Sequence, residues 1–139
     1  MGRILAVDYG TKRTGLAVTD PLRIIATALE TVSSTELLPY LTAYAARETV
    51  DEFVVGMPKT LKNEDSQTAP LVRQFVEKLK IAFPGKAIHL VDERFTSSLA
   101  RHSMLESGAS KKDRRDKGNV DKISAVIILQ SFMSARHTG

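Results

Sequence analysis

Residues Arg3 to Val18, RILAVDYGTKRTGLAV, decide how the rest of the chain is read. Arg3 to Val7 is a mostly apolar run that ends on an acidic residue, Asp8. A tight turn with Gly10 and Gly15 follows, and then a second apolar run from Thr14 to Val18. Two apolar runs so close together predict a β-hairpin, with glycine supplying the positive φ that such turns often need. A carboxylate at the end of an apolar strand loses hydration unless something pairs with it. Taken alone, Asp8 is as well explained as an aspartate bonding its own turn backbone as it is by a metal or phosphate site.

The surrounding composition narrows the setting. A chain of 139 residues is expected to form a single domain, spanning 1–139, and to bury about two-thirds of its unfolded surface without staples. The absence of cysteine excludes disulfides, thiolate catalysis and cysteine-based zinc sites. No run approaches the ~20 apolar residues of a membrane span, and the start lacks the blocks of a signal peptide. The expected location is the cytoplasm. A net charge of +4 and a pI near 9.5 favour an anionic partner.

Further along, Asp20-Pro21 marks a turn and Ile24 to Val32 is expected to be a third strand, completing an antiparallel meander. Ser33 or Ser34 is placed to cap a helix whose Leu37, Leu38, Leu41 and Ala45 recur at helical spacing. Pro39 is tolerated there in the first turn. Glu52 to Gly56, EFVVG, reads as a buried parallel strand, and Lys59 to Gln67 as a polar loop. A second helix, capped by Thr68, carries Leu71, Val72, Phe75, Val76, Leu79 and Phe83 as its buried stripe and stops at Pro84-Gly85. Ala87 to Val91 is a fifth strand followed by Asp92 and Glu93. Ser97 or Ser98 opens a third helix to Glu106, and Ala109 to Gly118 is a basic loop. Asn119 caps a last helix bearing Ile123, Val126, Ile127 and Leu129, with Asp121 in its first turn. The order β-β-β-α-β-α-β-α-α predicts an α/β fold: a mixed five-stranded sheet with helices on both faces, because helix-linked strands are normally parallel.

In open α/β sheets, sites gather beyond the carboxyl ends of the strands. Asp8 and the Asp92-Glu93 pair lie at such ends, and Asp121 joins them if the last helix packs beside the centre of the sheet. Converging carboxylates need a cation or a proton, since each raises the others' pKa. Mg²⁺ or Mn²⁺ suits oxygen ligands, and a two-metal site is the usual apparatus of phosphodiester hydrolysis. Singly, Asp121 is explained by the helix dipole and Asp92-Glu93 by a solvated strand end. Their joint placement favours a site.

The segments LAVDYGTKRTGLAV, FVVGMP, VDERFTS and VDKISAVIILQSF, in this order, resemble the YqgF/RuvX family across essentially the whole chain. That resemblance implies a ribonuclease H-like fold and nuclease activity. It links the chain to maturation of the 5′ end of pre-16S ribosomal RNA in ribosome biogenesis, with resolution of Holliday junctions as the alternative. Position by position, it implies that Asp8, Glu93 and Asp121 are the catalytic, metal-holding carboxylates.

Gly10, Thr11 and Lys12 resemble the phosphate-contacting turn of sugar kinases and actin-like ATPases. Those enzymes close two such domains on a nucleotide, and this chain offers one. Lys12 and Arg13 are candidate contacts to backbone phosphate, and a solvent-facing turn residue explains Arg13 equally well. Arg94 is a candidate partner for phosphate or carboxylate. The run KKDRRDK contributes Lys111, Lys112, Arg114 and Arg115 as candidate nucleic-acid contacts, although most charge runs are solvated loops. His89, His102 and His137 lack metal-ligand spacing. Few aromatics and no tryptophan argue against an extended base-stacking platform, which leaves phosphate contacts and shape to carry recognition. The expected partner is nucleic acid, with precursor ribosomal RNA ahead of structured DNA, and the expected state is a monomer or weak dimer. A non-catalytic nucleic-acid-binding module is the rival outside enzymology.

Overall fold

The computed structural model of the chain describes residues 2–57, 69–92 and 117–138, with the side chains at 92, 117–122 and 135–138 left out. Three strands open the chain: β1 (Arg3–Asp8), β2 (Arg13–Thr19) and β3 (Ala26–Ser33). A 3-10 turn, Ser34–Glu36, leads into α1 (Leu37–Arg47). Then come β4 (Val50–Met57), α2 (Ala69–Ala82), β5 (Ala87–Asp92) and α3 (Lys117–Thr138). The sheet order is β3-β2-β1-β4-β5. The first three strands pair antiparallel, and β4 and β5 run parallel to β1. This is the expected meander feeding a parallel half. The expected loop at 59–67, the Thr68 cap and the helix proposed from Ser97 to Glu106 lie outside the described residues.

Strand alternation divides the core in two. Leu5, Val7, Leu16, Phe53 and Val55 face α1 and α2, whose Leu37, Leu41, Tyr44, Val72, Phe75 and Leu79 cover them. Ile4, Ala6, Ala17 and Val54 face the other way, against Ala125, Ile128 and Leu129 of α3. The sheet therefore carries helices on both faces, as its apolar central strands require. Burying each large side chain stabilises the fold by about 1.5–3 kcal/mol. Phe53, wholly buried in the central parallel strand and packed on Phe83 with centroids 4.9 Å apart, is among the largest of these. Leu71, expected in the buried stripe of α2, is 38% exposed, while Ala69 takes a buried place. In α3 the core positions are Ala125, Ile128 and Leu129, with Ile123, Val126 and Ile127 half-buried.

Four local expectations are corrected. β3 starts at Ala26, not Ile24, because the Asp20 carboxylate accepts the backbone N–H groups of Ile24 and Ile25, each at 2.8 Å, and holds them in a turn. Ser33 and Ser34 make no side-chain cap. The hydroxyl of Ser34 donates to the Gly10 carbonyl instead. Neither Gly10 nor Gly15 has a positive φ; among the described glycines that conformation belongs to Gly85, where α2 ends. Finally, α3 begins at Lys117, so Asn119 lies inside the helix and Asp121 in its second turn. The basic segment expected to be a loop as far as Gly118 gives way to helix two residues earlier.

Candidate active site at the carboxyl rim of the sheet

Asp8 is the last residue of β1 and sits half-buried opposite Gly15 of β2. By alternation it belongs with Ile4 and Ala6, on the side of the sheet that α3 covers. The ends of β4 and β5 share this rim, since Met57 pairs with Asp92 and Val7 with Val55. Two strand spacings put the β5 end about 10 Å from Asp8.

The direction of α3 follows from its contacts. Its C-terminal half, at Gln130, Met133 and Ser134, shares a cavity with Ile24, Ile25 and Ala26. Ala26 pairs with Thr19, whose hydroxyl accepts the N–H of Ile4 at the start of β1. In the same half, Phe132 lies against His89, in the middle of β5, with ring centroids 4.7 Å apart. The helix thus runs antiparallel to β1, and its N-terminal end approaches the rim that carries Asp8. Asp121 stands one helical turn before Ala125, a buried residue of the stripe that meets Ile4 and Ala6. The backbone therefore brings Asp8 and Asp121 to the same end and the same side of the sheet. Glu93 lies outside the described residues, as do Arg94, Lys111, Lys112, Arg114 and Arg115. Among the described residues no group of three potential metal ligands is assembled.

The turn after Asp8 is tied down from a distance. The Ser34 hydroxyl donates to the Gly10 carbonyl at 2.5 Å and lies 2.9 Å from the Thr14 hydroxyl. A carbonyl only accepts, so the single proton of Ser34 goes to Gly10, and Thr14 donates to Ser34. The backbone N–H of Ser34 donates to the Lys12 carbonyl at 2.9 Å. Gly10 is required for space, since a Cβ there would overlap the Arg13 carbonyl oxygen. Lys12 and Arg13 are exposed beside this turn, where they can meet an anion. Sequence reading assigned Ser34 to helix capping, and its true partners stand 20 and 24 residues away.

A second polar cluster lies at the opposite pole. Arg23, in the left-handed region with φ 61°, donates to the Gly2 carbonyl, to Asp51 at 2.8 Å and to Glu52 at 3.1 Å. Glu52 also bonds His89 at 3.0 Å. The Gly2 N–H, followed by the Arg23 guanidinium, holds the Asp51 carboxyl below its ordinary value. The Ile25 N–H, helped by that of Ile24, does the same for Asp20. These groups fasten the amino ends of the strands and take no part in the Asp8 rim.

A five-stranded mixed sheet with this order, covered on both faces, is the ribonuclease H-like class of α/β fold. Among solved structures, RuvC of T. thermophilus in complex with a Holliday junction substrate superposes with a TM-score of 0.61 at 14% identity, covering 99% of this chain and 96% of that one. A second Thermus thermophilus RuvC structure gives 0.56 at 13% identity. Residues 2–135 match RuvX, described as Holliday junction resolvase. A protein of Porphyromonas gingivalis provisionally named pre-16S rRNA nuclease is 54% identical, covering 96% of each chain. A protein of Amoebophilus asiaticus with the same provisional name is 51% identical over 97% of this chain and 96% of its own. The chain belongs to the RuvX family, a family of nucleases.

Proposed function

We propose that this chain is a divalent-metal-dependent nuclease acting on the 5′ region of precursor 16S ribosomal RNA, with Asp8, Glu93 and Asp121 as its metal-holding carboxylates. The observation that carries the reading is the course of α3, which runs back along β1 and brings Asp121 towards the rim where Asp8 ends its strand. Oxygen donors on rigid elements suit a hard cation such as Mg²⁺ or Mn²⁺. Carboxylates gathered at one rim raise one another's pKa, and a cation offsets that repulsion. When bound, such ions supply the electrostatic stabilisation that phosphodiester hydrolysis requires. The protein's own part is placement. β1 fixes Asp8, the Ser34 clasp holds the following turn, and Lys12 and Arg13 are the candidates for contacts to backbone phosphates. The names borne by the relatives favour ribosomal RNA.

Junction resolution is the second reading, favoured by the family description. It needs two sites across a two-fold dimer, because two symmetric cuts are made. The test uses labelled single-stranded RNA spanning a 5′ precursor region beside a four-way DNA junction, with Mn²⁺ and with EDTA, and light scattering on the same samples. The expected result is metal-dependent cleavage of the RNA by a monomer or weak dimer, abolished in Asp8→Asn, Glu93→Gln and Asp121→Asn. Full cleavage by Asp8→Asn, or activity indifferent to EDTA, refutes the metal site. A tight dimer that cuts junctions and spares RNA replaces the substrate.

A further inference from the structure

Beside the Asp8 turn, on the other side of the sheet, a cavity of about 290 Å³ opens between that turn, the start of α1 and the first three turns of α2. Tyr9, the residue after Asp8, stacks on Phe75 of α2 with centroids 5.2 Å apart and planes at 23°. Phe75 is buried and backs Tyr9, which is left as the aromatic wall of the cavity. Thr11 and Thr35 bring hydroxyls to the cavity, Gln74 brings an amide and Lys78 an ammonium group. Among the described lining residues there is one cation and no carboxylate, so the cavity favours an anion. Its volume is at the low end of small-ligand sites, which start near ~300 Å³. It can accept one nucleotide but not a run of them.

We infer that this cavity is a subsite for a single unpaired nucleotide next to the phosphate that is cut, an inference that rests on the nuclease reading above. The base lies along the Tyr9 wall, since any base has a face to stack. The Gln74 amide, donor and acceptor at once, meets the base edge. Lys78 takes the nucleotide's phosphate. Asp8 and Tyr9 are adjacent, with Cα atoms ~3.8 Å apart, so a strand crossing the rim at Asp8 reaches the cavity within a nucleotide or so. An unpaired base is required, because a base held in a duplex cannot turn onto the wall. The subsite thereby selects single-stranded RNA over paired substrate. One pocket meets this need without the extended platform that the composition argues against.

The test titrates the four ribonucleoside 5′-monophosphates into the full chain carrying Asp8→Asn, without metal, and follows backbone amide shifts. Saturable binding with shifts at Tyr9, Thr35 and Gln74 is expected. Lys78→Gln, an exposed substitution with little bearing on the fold, should weaken that binding about tenfold, as removal of one charge-assisted hydrogen bond does. In the otherwise native chain, Lys78→Gln should raise KM for RNA with kcat nearly unchanged, and Gln74→Ala should broaden base preference at one position beside the cut. Shifts confined to other regions, or binding indifferent to Lys78→Gln, overturn the subsite even if the enzyme cuts RNA well. Binding as described in a protein that cleaves no nucleic acid overturns the nuclease reading and leaves a nucleotide pocket.

Discussion

Replacing Ser34 with alanine is the most direct probe of how the Asp8 turn is held. Ser34→Ala removes the bond to the Gly10 carbonyl and the acceptor for the Thr14 hydroxyl, but keeps the backbone bond from Ser34 to the Lys12 carbonyl. Thr14 is completely buried, so its hydroxyl is left without a partner. A stranded buried hydroxyl costs about 1–3 kcal/mol. The Gly10 carbonyl is only half-buried and recovers much of its hydrogen bonding from water. The total should therefore stay at about 1–3 kcal/mol, or roughly 3–10 °C in Tm for a domain of this size.

Thr14→Val alone should cost less, roughly 1 kcal/mol, because Ser34 keeps its bond to Gly10. With both changes no buried hydroxyl is stranded, and the double variant should be more stable than the sum of the singles predicts by about 1 kcal/mol. Urea unfolding of all four proteins, with the slope m unchanged, measures this coupling. In cleavage assays Ser34→Ala should lower kcat by roughly ten- to a hundredfold, since small displacements of catalytic groups are costly. Strict additivity of the two substitutions, or unchanged kcat in a destabilised Ser34→Ala protein, refutes the clasp as a support for Asp8.

Two further outcomes follow from charge. Asp51 and Asp20 titrate below the ordinary 3.8 when folded. The stability they contribute is present above that value and is lost as pH falls through the lowered one. Asp51→Asn and Asp20→Asn should each flatten the fall in stability below about pH 4 in urea unfolding between pH 3 and 7, and an unchanged acid limb refutes the assignment. Replacing Lys111, Lys112, Arg114 and Arg115 with serine should weaken binding to many RNA sequences about equally. It should also flatten log affinity against log salt, by about 0.7 for each single-strand phosphate that is no longer neutralised. An unchanged slope returns the segment to a solvated charge run.

The fold was legible in the sequence wherever burial enforced periodicity. Ile4 to Val7 and Phe53 to Val55 lie in strands buried on both faces, and such strands read as continuous apolar runs. The helical spacing of Leu37 and Leu41, and of Val72, Phe75, Val76 and Leu79, marks the faces that cover them. Errors fell where polar groups compete for the backbone. Asp20 draws Ile24 and Ile25 out of β3 despite their strand propensity, leaving both more than half exposed. A serine at position 34 signals a helix start in any local reading. Its hydroxyl instead answers Gly10 and Thr14, and no window of sequence contains that choice.

The site was legible in part for the same reason. Asp8 stood out because a carboxylate closing an apolar strand is costly unless used, and its neighbour Gly10 because turns favour glycine. The joint placement proposed for Asp8 and Asp121 depends on the direction of α3, and composition is silent on direction. What fixes it is a set of long-range packing choices: Met133 and Gln130 beside the start of β3, Phe132 on His89, and Ile128 and Leu129 in the core with Ile4 and Ala6. Reversing the helix would carry Asp121 to the pole of Arg23, Asp51 and Glu52. There a further carboxylate would compete with Asp51 and Glu52 for the guanidinium of Arg23, and like charges raise one another's pKa. Apolar packing on one side of the sheet and charge crowding at the far pole thus favour the same orientation, the one that turns the start of α3 towards the carboxyl rim.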